Sequence, residues 1–341
     1  MKVLMVNGQN YRLPGSLNAF QQELYIHLIN WKWKHITKTP GSYRGLDYDA
    51  ILPEKYADQF LMLYPGIVDT LRSHRQAYPF RIHRHFNHMA SSQVANINLF
   101  LPVLRHSHAN EILGAIRSDF VRLATDQLDN GYRIEFWDEP FGKLGDKNEA
   151  SGTDSDIAIA YYNHRDELCL WLIEHKLTEN EFTTCGGFRS KGRKAKHDCT
   201  RRFSEILGNK SFCYYHDVRK YHYWDITEAN QGFFANYARH AQCPFQGGVN
   251  QLWRNQLLAM AVEQDERQPY KQVSFSVVRH PGNHGLDASL RAYKDLIAQN
   301  PKFSVFTSAD IISAASKVRD RNIDEWVAWY CDLYSLPLPG R

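Results

Sequence analysis

The sequence predicts an α/β fold: a small mixed central sheet flanked by helices, with a helical N-terminal region in front of it. Three observations carry this. Apolar residues recur at helical spacing through much of the first 128 positions. The pattern then switches to alternation in Tyr132-Arg-Ile-Glu-Phe-Trp137. Beyond it, two apolar runs, Asp156–Tyr162 and Leu168–Lys176, are joined by a short polar segment, Asn163–Glu167, which is a hairpin signal.

Taken in order, Leu17, Phe20, Leu24, Leu28 and Trp31 fall on one helical face, with Ser16 available as a cap, so a helix is expected over 17–35. Residues 36–55 are rich in turn formers and Tyr and read as irregular. Tyr56–Tyr78 suggests one or two helices broken at Pro65-Gly66. Ala90–Leu128 reads as a longer helical region interrupted by Pro102, its second half opening at Asn110 with Ile112, Ile116, Phe120, Leu123 and Leu128 as a buried stripe. After the hairpin, 250–263 is a strong helix, 272–279 a strand, 289–298 a helix, 303–306 a strand, and 308–318 and 324–333 helices. This divides the chain into an N-terminal region over 1–103, suited to recognising or clamping a nucleic acid, and a core with C-terminal helices over 104–341. The alternative is one domain whose layers change near that boundary.

Bulk composition narrows the classes. A chain of 341 residues with 43 % hydrophobic and 23 % charged residues is an ordinary globular protein rather than a disordered one. No run approaches the ~20 apolar residues of a membrane span, and residues 1–16 lack a charged-then-apolar leader, so the cytoplasm is the expected location. The net charge of +4 is a weak argument for nucleic acid by itself. Its distribution says more: seven of the fourteen residues in 189–202 are Lys or Arg, namely Arg189, Lys191, Arg193, Lys194, Lys196, Arg201 and Arg202, a segment suited to phosphate contacts.

The chemistry is concentrated at one end of the hairpin. Strand side chains alternate between faces, so Leu172, Glu174 and Lys176 share one face and Cys169, Trp171, Ile173 and His175 the other. A turn around Arg165 brings Asp156, with Asp154 as the alternative, beside Glu174. Two carboxylates and an ammonium then converge at a sheet edge. Magnesium prefers oxygen ligands and binds through one or two carboxylates plus substrate phosphate oxygens. A neighbouring lysine can stabilise charge developing on the phosphate. A lone Glu-x-Lys triplet is also common at strand ends. What raises this one is the apolar strand on either side and an Asp at hairpin distance.

Asp156, a hydrophobic strand and Glu174-His-Lys176 together resemble the PD-(D/E)XK nuclease superfamily, with Ser155 where a Pro usually stands. The resemblance implies a restriction-endonuclease-like core, metal ligation by Asp156 and Glu174, and catalytic assistance by Lys176. It also implies a further ligand from the backbone carbonyl of His175. A narrower likeness, to a group of bacterial restriction endonucleases defined mainly by sequence, runs through Ala90–Pro102, Ile173–Glu179 and Gly247–Ala259. In many superfamily members a helical Glu adds a metal contact; Glu111 is the candidate here and Glu135 the rival. Gln251 and Arg254, at i and i+3 on the predicted helix, are candidates to support the site. Some related exonucleases carry an iron–sulfur cluster. Cys185, Cys199, Cys213 and Cys243 are widely spaced without a C-x-x-C pair, so ordinary buried residues are the preferred reading and a zinc or iron–sulfur site the alternative. His83, His85 and His88 lie close in sequence but at no recognised ligand spacing, and read as polar surface or nucleic-acid contacts.

The expected activity is phosphodiester hydrolysis with Mg²⁺, for which Mn²⁺ should substitute, by a DNA endonuclease of restriction or phage-defence type. The alternatives are an RNase or structure-specific repair nuclease, and a non-catalytic nucleic-acid-binding protein. Cutting both strands of a duplex would favour a homodimer.

Overall fold

A computed structural model describes residues 1–137, 142–146, 152–189, 197 and 199–340. At its centre is a mixed sheet. Strands β5 (Arg122–Leu123), β6 (Tyr132–Phe136), β7 (Ser155–Tyr162), β8 (Leu168–Lys176), β9 (Gln272–Arg279) and β10 (Phe303–Thr307) follow the order β10-β9-β8-β7-β5, with β6 also paired to β7. The β7–β8 hairpin is antiparallel, in register Ile157↔Ile173 to Tyr162↔Leu168. Its turn is fixed by Asn163, whose Oδ1 accepts from the N–H groups of Arg165 (2.9 Å) and Glu167 (3.0 Å). Strands β8, β9 and β10 run parallel, so they need long crossovers. Both are helical and lie on the same face of the sheet.

Each face of the sheet carries its own core. One is built on Ile157, Ile159, Trp171 and Ile173 and is covered by α1 (Ala19–His35), α3 (Ser92–Leu104), α11 (Ser308–Ala315) and α12 (Arg321–Tyr334). The other is built on Ala158, Ala160, Leu170 and Leu172. It is covered by the short helices α6 (Phe203–Gly208) and α8 (Tyr223–Ala229), and by α9 (Val249–Glu263) and α10 (Asp287–Leu296). Between β8 and α9 also lie α5 (Gly186–Arg189) and α7 (Tyr214–Asp217). Helix α3 is buried over almost its whole length, its polar residues Gln93, Asn96 and Asn98 included. Pro102 sits in its last turn. Residues on both sides of position 103 contribute to the first core.

Several local expectations change. The N-terminal region is not purely helical. Besides α1 and α2 (Val68–Ala77) it holds two hairpins, β1 (Lys2–Val6) with β2 (Gln9–Leu13) and β3 (Gly41–Tyr43) with β4 (Leu46–Tyr48). Helix α1 is capped by Asn18, not Ser16: Asn18 Oδ1 accepts from Gln21 N–H at 2.8 Å while Gln21 Oε1 accepts from Asn18 N–H, a reciprocal box. The helical region expected to reach Leu128 ends at Ile116, with α4 (Ala109–Ile116). Arg122-Leu123 joins the sheet edge instead, held there by Asn110 Oδ1, which accepts from Leu123 N–H (2.8 Å).

Candidate active site

The side-chain alternation on β8 is as the sequence requires. Ile173 and His175 face the α3 side, and Glu174 and Lys176 face α9. The ladder between β7 and β8 stops at Ile157↔Ile173, and Ser155 Oγ closes the open end by donating to the Ile173 carbonyl (2.8 Å). Asp156 thus lies beside Glu174 and His175. Its Oδ2 accepts the His175 backbone N–H at 2.6 Å. Burial, then the negative charges of Glu174 and Glu135, push its carboxyl well above the usual range. A half-buried carboxyl group in the field of Glu174 and Glu135 would be relieved by a bound cation.

Glu174 is fully bonded. Oε1 accepts from Lys176 Nζ and from Gln251 Nε2, each at 2.7 Å, and Oε2 accepts from Asn255 Nδ2 at 2.9 Å. Burial works against the Lys176 ammonium, but Glu174, Glu179 and Asp156 outweigh it and hold the group above its ordinary range. The His175 ring is buried with neither nitrogen hydrogen-bonded, and burial lowers it to about 3; it is a neutral core side chain. Asp154 precedes β7 and lines the same cleft as Asp156.

Of the other candidates, Glu135 is at the site and Glu111 is not. Glu135 sits on β6 between the paired positions Ile134↔Ile157 and Phe136↔Ser155, opposite Asp156. Its backbone is left-handed, φ +55°, a conformation that costs of order 1–3 kcal/mol for a non-glycine residue. The kink also turns Phe136 into the core opposite to that of Ile134. Glu111 is exposed on α4 and pairs with His108 (3.1 Å). Gln251 reaches Glu174, whereas Arg254 does not. Arg254 packs against Tyr223, whose hydroxyl donates to Asp146 at 2.6 Å. Burial works against its charge, and Tyr223, Tyr215 and Asp146 hold its guanidinium above the ordinary range.

Three contributors escaped the sequence reading. Asn255 lies on α9 one turn beyond Gln251. Gln93 Nε2 donates to Glu135 Oε1 (2.8 Å), and Asn96 Nδ2 to the Asp156 carbonyl (3.1 Å). What could have flagged them is a polar residue on a helix flanked by core-forming apolar residues, which must find a partner once buried.

A cleft of about 1400 Å³ opens on Glu135, Asp154 and Asp156 from the N-terminal region. Arg81, Arg84, Arg133, His83, His85 and His88 are on its walls, with Tyr43, Tyr48 and Trp137. The histidine segment is therefore part of an aromatic, mixed-charge wall, where Arg133 pairs with Asp129 (2.9 Å) and burial lowers His83, His85 and His88 below the usual imidazole range. Of the basic segment, Lys191, Arg193, Lys194 and Lys196 lie outside the described residues, as does the side chain of Arg189. Arg201 pairs with Glu205 (3.3 Å), and the Arg202 N–H donates to Glu205 (2.8 Å).

Among the described residues no three His, Cys, Asp or Glu side chains stand close enough to hold one metal ion by themselves, and no helix is long and apolar enough to cross a membrane. A family model described as restriction endonuclease associating with ARP matches residues 29–335. No curated protein matches the chain, nor does any solved structure. The matched span takes in the whole central sheet together with Asp156, Glu174 and Lys176, and the chain belongs to this restriction endonuclease family.

Proposed function

We propose that the chain is a Mg²⁺-dependent DNA endonuclease of restriction or phage-defence type, with Asp156, Glu174 and Lys176 as its catalytic residues. The observation that carries this reading is the juxtaposition of Asp156 with the Glu174–Lys176 pair beside a cleft walled by Arg81, Arg84 and Arg133. Asp156 and Glu174 would hold the cation, with the His175 carbonyl as a further oxygen. Two carboxylates suffice, since magnesium keeps several waters and takes phosphate oxygens from its substrate. When bound, the ion supplies an activated water and charge neutralisation at the phosphate; Mn²⁺ is expected to substitute.

The chain's own residues do the positioning. The His175 N–H fixes one oxygen of Asp156. Gln251 and Asn255 fix both oxygens of Glu174. Glu174 in turn holds the Lys176 ammonium at the site edge, where it can stabilise charge on the phosphate in a water-poor setting. Glu135, steadied by Gln93, supplies a third negative charge facing Asp156. Contacts to phosphates from the Arg-lined wall and from the basic segment 189–202 would position the nucleic acid without reading its sequence. A duplex cut on both strands would need two such sites, and hence a homodimer.

The test is cleavage of matched duplex DNA, single-stranded DNA and RNA by the purified chain, with Mg²⁺, with Mn²⁺ and with chelator. Cleavage of duplex DNA that stops with chelator is expected. Metal-dependent cleavage of RNA alone would replace the DNA reading, and no cleavage of any substrate would overturn the nuclease reading.

A further inference from the structure

Cys185, Cys199, Cys213 and Cys243 are spread over 59 residues of sequence, yet all four line one small pocket beneath α9. None is in a disulfide. Cys169 and Cys331 lie in the core on the other face of the sheet. The remaining wall of the pocket is apolar and aromatic, including Phe188, Trp224, Phe245 and Trp253. Backbone N–H groups are directed at three of the sulfurs. Phe188 N–H donates to Cys185 Sγ at 3.4 Å. The N–H groups of His216 and Tyr215 face Cys213, and that of Phe245 faces Cys243.

We propose that these four cysteines bind an iron–sulfur cluster. Four thiolates, N–H···S hydrogen bonds and a dry wall are the features that hold such clusters and tune them. A single zinc ion fits less well. In a tetrahedral site its sulfurs stand about 2.3 Å from the metal, so about 3.8 Å from one another, whereas no three of the sulfurs here are placed to hold one ion. A polynuclear centre, with its thiolates on different metal atoms, is held by sulfurs that stand farther apart. Without metal the thiols would stay protonated, because burial pushes Cys185 up to about 11 and raises Cys213 and Cys243 as well. Binding therefore releases their protons.

The position of the four gives the cluster a role. In sequence, Cys185 precedes and Cys199 follows the basic stretch 189–196. Trp253 lies on α9 between Gln251 and Asn255 in sequence, and one of its flanks faces the pocket. The cluster would brace the helix that holds Glu174.

The experiment is metal and acid-labile sulfide analysis of the full chain purified without oxygen. It is repeated after reconstitution of the wild-type protein with ferrous iron and sulfide. About two or about four irons per chain with an equal number of sulfides, and a visible chromophore, are expected. Cys213→Ser with Cys243→Ser should lose the iron, and Cys331→Ser should keep it. Zinc in place of iron, or no iron and sulfide retained by the reconstituted wild-type chain, would overturn the proposal. The wild-type measurement stands even if the double variant fails to fold. Because iron and sulfide are read without any cleavage assay, the outcome is independent of the nuclease reading.

Discussion

Lys176 Nζ donates to Glu174 Oε1 at 2.7 Å, and both side chains are buried at the end of β8. Such a pair is weak evidence for stability, because desolvating two charges offsets most of their attraction, whereas removing one partner strands the other. Lys176→Met should therefore destabilise the fold by about 3–5 kcal/mol. Combining it with Glu174→Leu should recover most of that loss while leaving cleavage abolished. Denaturant midpoints of the single and double variants check this. A double variant as unstable as the single one would mean that the pair holds the fold together rather than serving the site.

Asn255 should matter through Glu174 alone. Its Nδ2 and Gln251 Nε2 anchor opposite oxygens of one carboxylate, and a hydrogen bond to a charged group contributes about 1.5–3 kcal/mol. Asn255→Leu is expected to lower the single-turnover cleavage rate at least about tenfold, the equivalent of roughly 1.4 kcal/mol, with nucleic-acid affinity unchanged. Asn255→Asp should be worse than Asn255→Leu, because it places a second carboxylate against Glu174.

Glu135 should reverse the usual order of glycine and alanine. In a strand, Ala is ordinarily more stable than Gly, but Glu135 is left-handed with φ +55°. Glu135→Gly is expected to be about 1 kcal/mol more stable than Glu135→Ala, and both should lose metal-dependent cleavage. Thermal unfolding of the two variants decides it. An Ala variant equal to or above the Gly variant would mean that β6 relaxes to an extended backbone once the carboxylate is gone.

His280 should carry part of the acid limb of stability, beside the buried rings of His175 and His88, whose pKa burial also lowers. The His280 Nε2–H donates to the Tyr334 carbonyl (2.9 Å), and its Nδ1 accepts the Gly282 N–H (3.1 Å), so the ring is bonded as the neutral tautomer. Burial lowers its pKa to about 4. A depressed folded value means stability that is fully present above the unfolded pKa of about 6.5 and is lost as pH falls through about 4, to a total of about 3 kcal/mol. His280→Gln should be less stable at pH 7 yet flatten the stability curve between pH 6.5 and 4. An unchanged slope would put the acid sensitivity elsewhere.

How much of this was legible depends on what each feature is made of. The hairpin register and the sharing of a face by Glu174 and Lys176 follow from strand alternation, a local rule, and both were readable. Gln251 was readable from its helix. Glu135 was visible only as a rival to Glu111, because chain order does not show that a strand kink turns one carboxylate toward Asp156 while the other stays exposed beside His108. The convergence of four cysteines depends on how four separate connecting segments come together under α9, which spacing does not encode. The N-terminal hairpins are a different case. Asn7-Gly8, both at positive φ, is a strong two-residue hairpin turn that stood in the sequence and went unread among the helical expectations.

The most direct measurement is single-turnover cleavage of duplex DNA by Asp156→Asn, Glu174→Gln and Lys176→Ala beside the wild type, with DNA affinity measured in parallel. Metal-dependent cleavage is expected of the wild-type chain and of none of the three variants, with affinities that remain close to wild type. A folded Glu174→Gln variant that cuts as fast as the wild type would contradict it.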